Sequence, residues 1–387
     1  MFTTGILADI WNVVDFGIEE SLDQIQSLGA QSISLRVTSS RVSQLRAGEL
    51  DAPRIFRSDG GYFFQPDKSK YSNTRIKPVV ASWLKSRDPL EQIVEACQKR
   101  DIELRLRIST LESPVIAARH PEAASKTVFG DVASETLSAA NRDVVELLRA
   151  TVIDLSNRFA PAAIEVDGLT FHSGAMYEQE FDAGNGFHLL MELSFDESSA
   201  QSAISRGVDV EAVTRWVRVA LQKVLDGGDP LETSLEEMAA EALPLKQYIN
   251  SQIDDVTSLV EQMSGAANCP ISLRMGAFLG YGCMPRVNLE ALAHDRGVIT
   301  EFFLACPDEC ECNPDFAGAM NLERSYTGRE IPAIGIDRDT PQRLVSEVRR
   351  LAATGVGGVV IASYGLISPN MHDTIKQAFR YAARDSS

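Results

Sequence analysis

Five short runs along the chain place a polar or charged residue at every second position and an apolar one between. They are S-I-S-L-R-V-T around Arg36, E-L-R-L-R-I-S around Arg105 and Arg107, A-I-E-V-D-G around Glu165 and Asp167, I-S-L-R-M around Arg274, and A-I-G-I-D around Asp337. A strand sends alternate side chains to opposite faces, so each run predicts one apolar face and one charged face. If such strands are central to a sheet, their charges converge.

Strands are predicted at Gly5 to Trp11, Ser32 to Thr38, Glu103 to Ser109, Ala162 to Leu169, Pro270 to Ala277, Val298 to Ala305, Ile331 to Asp337 and Gly358 to Gly365. Amphipathic stretches lie between them, among them D-P-L-E-Q-I-V-E-A-C-Q-K-R and T-P-Q-R-L-V-S-E-V-R-R-L-A-A-T-G. These stretches open on Asp, Thr or Pro and several close near Gly, as helix caps do. Strands alternating with helices predict an α/β protein, a (β/α)8 TIM barrel whose active site collects at the carboxyl ends of the strands. A doubly wound open sheet is the alternative.

The prediction is a single barrel domain over residues 1–387 with three long βα-loop insertions, at about 39–86, 172–206 and 306–329. The first contains G-G-Y-F-F-Q-P-D-K-S-K-Y and could form a rim over the mouth. The second follows the fourth strand and precedes two long helical patterns where a barrel needs one helix. The extra helix would cap the barrel or pack on a second subunit, making a homo-oligomer one expectation. Long loops on a rigid scaffold carry specificity.

A net charge of −17 argues against a nucleic-acid partner, because such affinity draws on clustered Lys and Arg. No apolar run approaches the length that spans a bilayer, and M-F-T-T-G-I-L-A-D-I-W has no secretory pattern, so a cytoplasmic protein without a membrane partner is expected.

The chemistry suggested by the pattern is carboxylate chemistry. Asp167 and Glu165 share a face of the fourth strand, Asp337 ends the seventh, and Glu301 lies in the sixth. Two carboxylates on different strand ends could supply the acid and the nucleophile or base of glycoside hydrolysis. Equally, inward carboxylates and Arg36, Arg105, Arg107 and Arg274 could simply satisfy one another, as buried charges must. Asp9 with Trp11 would suit the hydroxyl edge and apolar face of a sugar, or Asp9 could pair with Arg36. Tyr364 would line or fill the same pocket, and Arg36, Arg107 and Arg274 would position the acids or hold a substrate carboxylate.

His172 directly follows the fourth strand and could act in proton transfer or as a metal ligand, and His188 is a weaker candidate. A metal held there would imply a sugar isomerase or lyase. Cys306, Cys310 and Cys312, with Cys283, do not have the spacing of common zinc knuckles. No phosphate loop or GxGxxG is present, so no cofactor and no metal is predicted.

The stretches Y-F-F-Q-P-D-K-S-K-Y, D-P-L-E-Q-I-V-E-A-C-Q-K-R-D-I-E-L, F-G-D and F-A-P-A-A-I-E-V-D-G-L-T-F-H together resemble a group of uncharacterised bacterial TIM-barrel proteins described as glycoside-hydrolase-like. The resemblance spans most of the chain. It implies that Glu165 and Asp167 occupy a region where related barrels carry a catalytic or substrate-binding carboxylate. Related sequences have a Cys-rich stretch where this chain has L-S-F-D-E-S-S, so a metal function of that stretch does not carry over. The expectation is hydrolysis of a carbohydrate or related polyhydroxylated small molecule, with Asp167 as nucleophile or stabilising carboxylate and Asp337 or Glu301 as acid. The alternatives are the metal-dependent isomerase or lyase and a non-catalytic sugar-binding barrel.

Overall fold

The computed structural model describes residues 2–47, 53–169, 182–276, 292, 299–306, 329–334, 341–353 and 357–385. Its principal strands are β1 (Thr3–Asp9), β2 (Ser32–Arg36), β3 (Glu103–Ser109), β4 (Ala163–Asp167), β5 (Ile271–Gly276), β6 (Ile299–Cys306), β7 (Arg329–Ile334) and β8 (Gly358–Ile361). Each pairs in parallel with its sequence neighbours, and β8 returns to β1, so the sheet curls into a closed barrel. Every predicted strand overlaps one of these. The connections from β5 to β6 and from β6 to β7 lie almost wholly outside the described residues, as does most of the predicted insertion at 306–329.

Two of the predicted strands end short of a candidate site residue within the described residues. The first strand stops at Asp9, and Trp11 belongs to a short helix, Ile10–Asp15, that buries Ile10, Trp11, Asn12 and Val13. A short apolar run reads equally as strand or helix, and here four consecutive buried positions are served by a helical turn. The eighth strand stops at Ile361, and Tyr364 begins the 3-10 turn Tyr364–Leu366.

The helical layer includes α1 (Ile18–Ser27), α2 (Pro89–Lys99), α3 (Arg142–Phe159), α4 (Val210–Leu225), α5 (Leu243–Ala266), α6 (Pro341–Ala353) and α7 (His372–Asp385). Local chemistry sets their ends. Pro89 opens α2, where its missing N–H costs nothing. The Asn141 side chain accepts from the backbone amides of Asp143 and Val144 at the start of α3, and Ala160, in the left-handed region, ends it. Ile33, Leu35, Leu106, Ile108, Ile164 and Val166 pack outward with the apolar stripes of these helices in one continuous core.

The two long helices predicted after β4 both pack within the chain. α4 buries Val213, Val217 and Leu221, while α5 buries Leu245, Tyr248 and Val256. The insertion at 39–86 is a rim of hairpins: Thr38–Ser39 pairs with Gly61–Tyr62, and Val42–Leu45 pairs with Ile55–Ser58. Gly61, at φ +108°, lets this rim pass close to the chain, since a Cβ there would sit 2.3 Å from the Val79 carbonyl. A further hairpin after β3, Ala124–Lys126 with Val132–Leu137, was not anticipated from sequence. Its register slips between the two strands, which breaks the period-2 signal.

The inner face of the barrel is polar. Arg105 and Glu165 form a fully sequestered ion pair at 3.0 Å, with side chains 5% and 0% exposed. The Ser34 hydroxyl donates to the other Glu165 oxygen, and Arg105 also donates to Ser272 at 3.3 Å. Four strands are thereby tied together through one buried network. Removing one partner of a buried pair costs about 3–5 kcal/mol when the other charge is left alone, but Arg105 also pairs with Glu103 at 3.1 Å. Glu165→Ala is therefore expected to lower unfolding free energy by less than that full amount in urea titration, and by more than the about 1 kcal/mol of Ser34→Ala.

Candidate active site

The carboxyl ends of β1, β2 and β3 bring Asp9, Arg36 and Arg107 side by side, because Asp9 is in register with Arg36 and Arg36 with Arg107. Asp9 accepts from Arg36 at 2.7 Å and from Arg107 at 3.3 Å, and its second oxygen accepts from Gln44 at 2.8 Å. Burial alone would raise the Asp9 pKa. The charges of Arg36 and Arg107, with the Arg36 and Gln44 hydrogen bonds, outweigh it and hold the carboxyl below the usual range. Asp9 is thus a sealed anchor. Arg36 keeps 27% of its side chain exposed and lies 4.8 Å above the Trp11 ring.

Trp11 does not present a sugar platform. It is fully buried, stacked on Phe56 at 4.7 Å, with its indole N–H donating to Gln44 at 2.9 Å. Phe63 leans on it at 4.8 Å, and Trp83 packs on both phenylalanines. Trp11 therefore clamps the hairpin rim to the barrel end. Tyr364 likewise turns away from the site: its hydroxyl donates to Gln24 of α1 at 2.7 Å, and its ring meets Phe16 edge-on. Burial raises its pKa. The strand parity assumed for both residues fails because each lies past the end of its strand.

Glu165, one layer below, is the Arg105 partner already described, so its carboxylate is enclosed in the barrel interior and not at the mouth. Asp167, at the end of β4, is only partly buried, and one of its oxygens accepts from the Gly168 amide at 2.8 Å. Arg274 lies on β5 and Glu301 on β6, but their side chains fall outside the described residues, as do Asp337, His172 and the Cys310 and Cys312 positions with Cys283. The Cys306 side chain falls outside them too. His188, on the helix Asn185–Met191, is buried beside Phe187, and burial lowers its pKa. Among the described residues no three His, Cys, Asp or Glu side chains are grouped to hold a metal ion. Among them, too, no helix is long and apolar enough to cross a membrane.

One carboxyl group at the mouth was missed by the strand-parity argument. Glu112 lies three residues beyond β3, in S-T-L-E-S-P, where no alternation marks it. A Cβ added to Gly168 would sit 3.4 Å from the Glu112 side chain, so Glu112 lies against the residue that follows Asp167. Burial first, and then the negative charges of Asp167 and Glu135, push its pKa up to about 7. It lines a small cleft with Thr38, Ser39, Tyr62, Ser109 and Thr110, with room for about one water molecule. A carboxylic acid that keeps its proton near neutral pH, next to a second carboxyl group, is the arrangement by which two like side chains take different roles. The sequence signal for it was only an acid just after a strand end.

No family model matches the chain, and no curated protein matches it in sequence. Its fold is shared with α-L-fucosidase isoenzyme 2 from Paenibacillus thiaminolyticus at a TM-score of 0.58 and 10% identity, covering 98% of this chain and 49% of that one. It is also shared with β-galactosidase from the psychrophilic Marinomonas ef1 at 0.57 and 13%, covering 99% and 59%. The chain spans only about half the length of these proteins, and at such identities the likeness is one of fold.

Because the folded chain holds the Glu112 proton more tightly than a free carboxyl at 4.5, the folded state binds more protons between that pH and about 7. Stability from this group is present at low pH and declines as pH rises through that window. Glu112→Gln is expected to remove that decline, read as urea midpoints compared at pH 5 and pH 8.

Proposed function

We propose that this protein is a glycoside hydrolase acting on a carbohydrate or related polyhydroxylated small molecule, built on one (β/α)8 domain. The observation that carries the reading is Asp167. Among the described strand carboxylates on the inner face, Asp9 and Glu165 are sealed against arginines, whereas Asp167 stands partly exposed at the carboxyl end of β4. In a parallel barrel that edge is where reacting groups are held. The fold shared with a fucosidase and a galactosidase supports the same class.

Asp167 then serves as nucleophile or as the carboxylate that stabilises the positive charge developing at the anomeric carbon. Arg36, still partly open beyond its pairing with Asp9, offers N–H donors for a substrate hydroxyl or carboxylate, and Arg107 fixes Asp9 beneath it. Arg274 would extend this cationic set from β5, with Asp337 or Glu301 the acid partners suggested by sequence. The protein would work in the cytoplasm without cofactor.

The test is a panel of aryl glycosides and oligosaccharides assayed with the wild type and Asp167→Asn. The expected result is saturable turnover that falls by at least about 100-fold in the variant. Saturable thermal stabilisation by a sugar, with no turnover and no response to Asp167→Asn, would establish a binding protein and overturn the hydrolase. Activity abolished by a chelator would favour metal-dependent isomerase or lyase chemistry.

A further inference from the structure

We propose that Glu112 is the general acid of this site, the group that protonates the departing glycosidic oxygen. The assignment rests on the hydrolase reading above and replaces Asp337 and Glu301 in that role.

The placement of Glu112 is held by the backbone of β3 and β4. The Thr110 amide donates to the Asp167 carbonyl at 2.9 Å and its hydroxyl does so at 2.6 Å, while the Leu111 amide reaches the Gly168 carbonyl at 3.3 Å. The Ser109 hydroxyl donates to the carbonyl of Glu112 itself at 3.2 Å. On the far side, Ser113 bonds the carbonyl of Glu135 at 2.8 Å, and Glu112 bridges to Thr136. The segment is thus stitched to the end of β4 and to the hairpin Val132–Leu137, with the Glu112 side chain against Gly168, the residue after Asp167. A proton donor must be fixed in this way to meet a leaving group that is itself fixed.

The side chain is partly buried and lines the small cleft described above, so it is desolvated without being wholly enclosed. Desolvation first, and then the charges of Asp167 and Glu135, raise its pKa to about 7. Asp337 and Glu301 are offered by sequence position alone. The accounting is complete with water as the only co-reactant. Glu112 gives its proton to the glycosidic oxygen as the bond from that oxygen to the anomeric carbon breaks, and the bond pair stays on the oxygen. A water oxygen then bonds the anomeric carbon. The proton this water releases returns to Glu112, directly or by way of Asp167, leaving two alcohols and an unchanged enzyme.

The experiment compares wild type and Glu112→Gln on two substrate sets, dinitrophenyl glycosides and unactivated oligosaccharides. A good leaving group needs no protonation, so the expected loss in kcat/KM is about 10²- to 10⁴-fold on oligosaccharides and less than about 10-fold on dinitrophenyl glycosides. The alkaline limb of the wild-type pH profile, near pH 7, should disappear in the variant. Equal losses on both sets, or none, with the wild type active, would overturn the role of Glu112 and leave the hydrolase reading standing. A wild type that turns over no glycoside overturns both. Independently of turnover, carbon NMR of labelled Glu112 should show a midpoint near 7 that drops in Asp167→Asn; a midpoint near 4.5 that ignores Asp167 would remove the proposal.

Discussion

The structure depends on a barrel interior that carries charge and must neutralise it internally. Arg105 and Glu165 meet with almost no contact with water, and Glu103 gives Arg105 a second carboxylate partner. Their partners Ser34 and Ser272 come from the two flanking strands, so register across β2, β3, β4 and β5 is set by hydrogen bonding as well as by the apolar outer face. A slip of one residue would turn Arg105 and Glu165 toward the helices and Leu106 and Ile164 into the polar interior. The consequence of such a network is selection of one register, because a slip would leave its charges without their partners.

Above that layer the same chemistry is repeated and progressively opened. Asp9 is gripped by Arg36 and Arg107 and supported by Gln44, whose other end ties Trp11 and Asn12. The aromatic group of Trp11, Phe56, Phe63 and Trp83 closes one side of the mouth and excludes water from this second layer. At the edge, Asp167 ends β4 and Glu112 lies three residues beyond β3 against Gly168, both only partly buried. Depth along the barrel axis therefore sorts the described acids: Glu165 and Asp9 are sealed against arginines, while Asp167 and Glu112 are only partly buried.

The strand parity of E-L-R-L-R-I-S and A-I-E-V-D-G made the polar interior legible, and the arginine pairing of Asp9 was one of the two roles open to it in the sequence. Trp11 and Tyr364 were misplaced because parity holds only while the chain remains extended, and both lie beyond their strand ends. Glu112 was invisible for the same reason. Its loop position has no period, and its proximity to Asp167 joins residues 55 apart in sequence through the β3–β4 pairing.

The sequence by itself determined the two-faced strands, the capped helices between them and the presence of paired charges inside. Those follow from local periodicity and from the cost of burying an unpaired charge, which any compact state of this chain must meet. Only the tertiary structure decided which acid meets which base, because partner choice depends on register and on loops that fold back across strand ends. It placed Glu165 against Arg105 deep in the interior, left Asp167 at the rim, and set Glu112 against the following Gly168, where burial and two nearby charges raise its pKa.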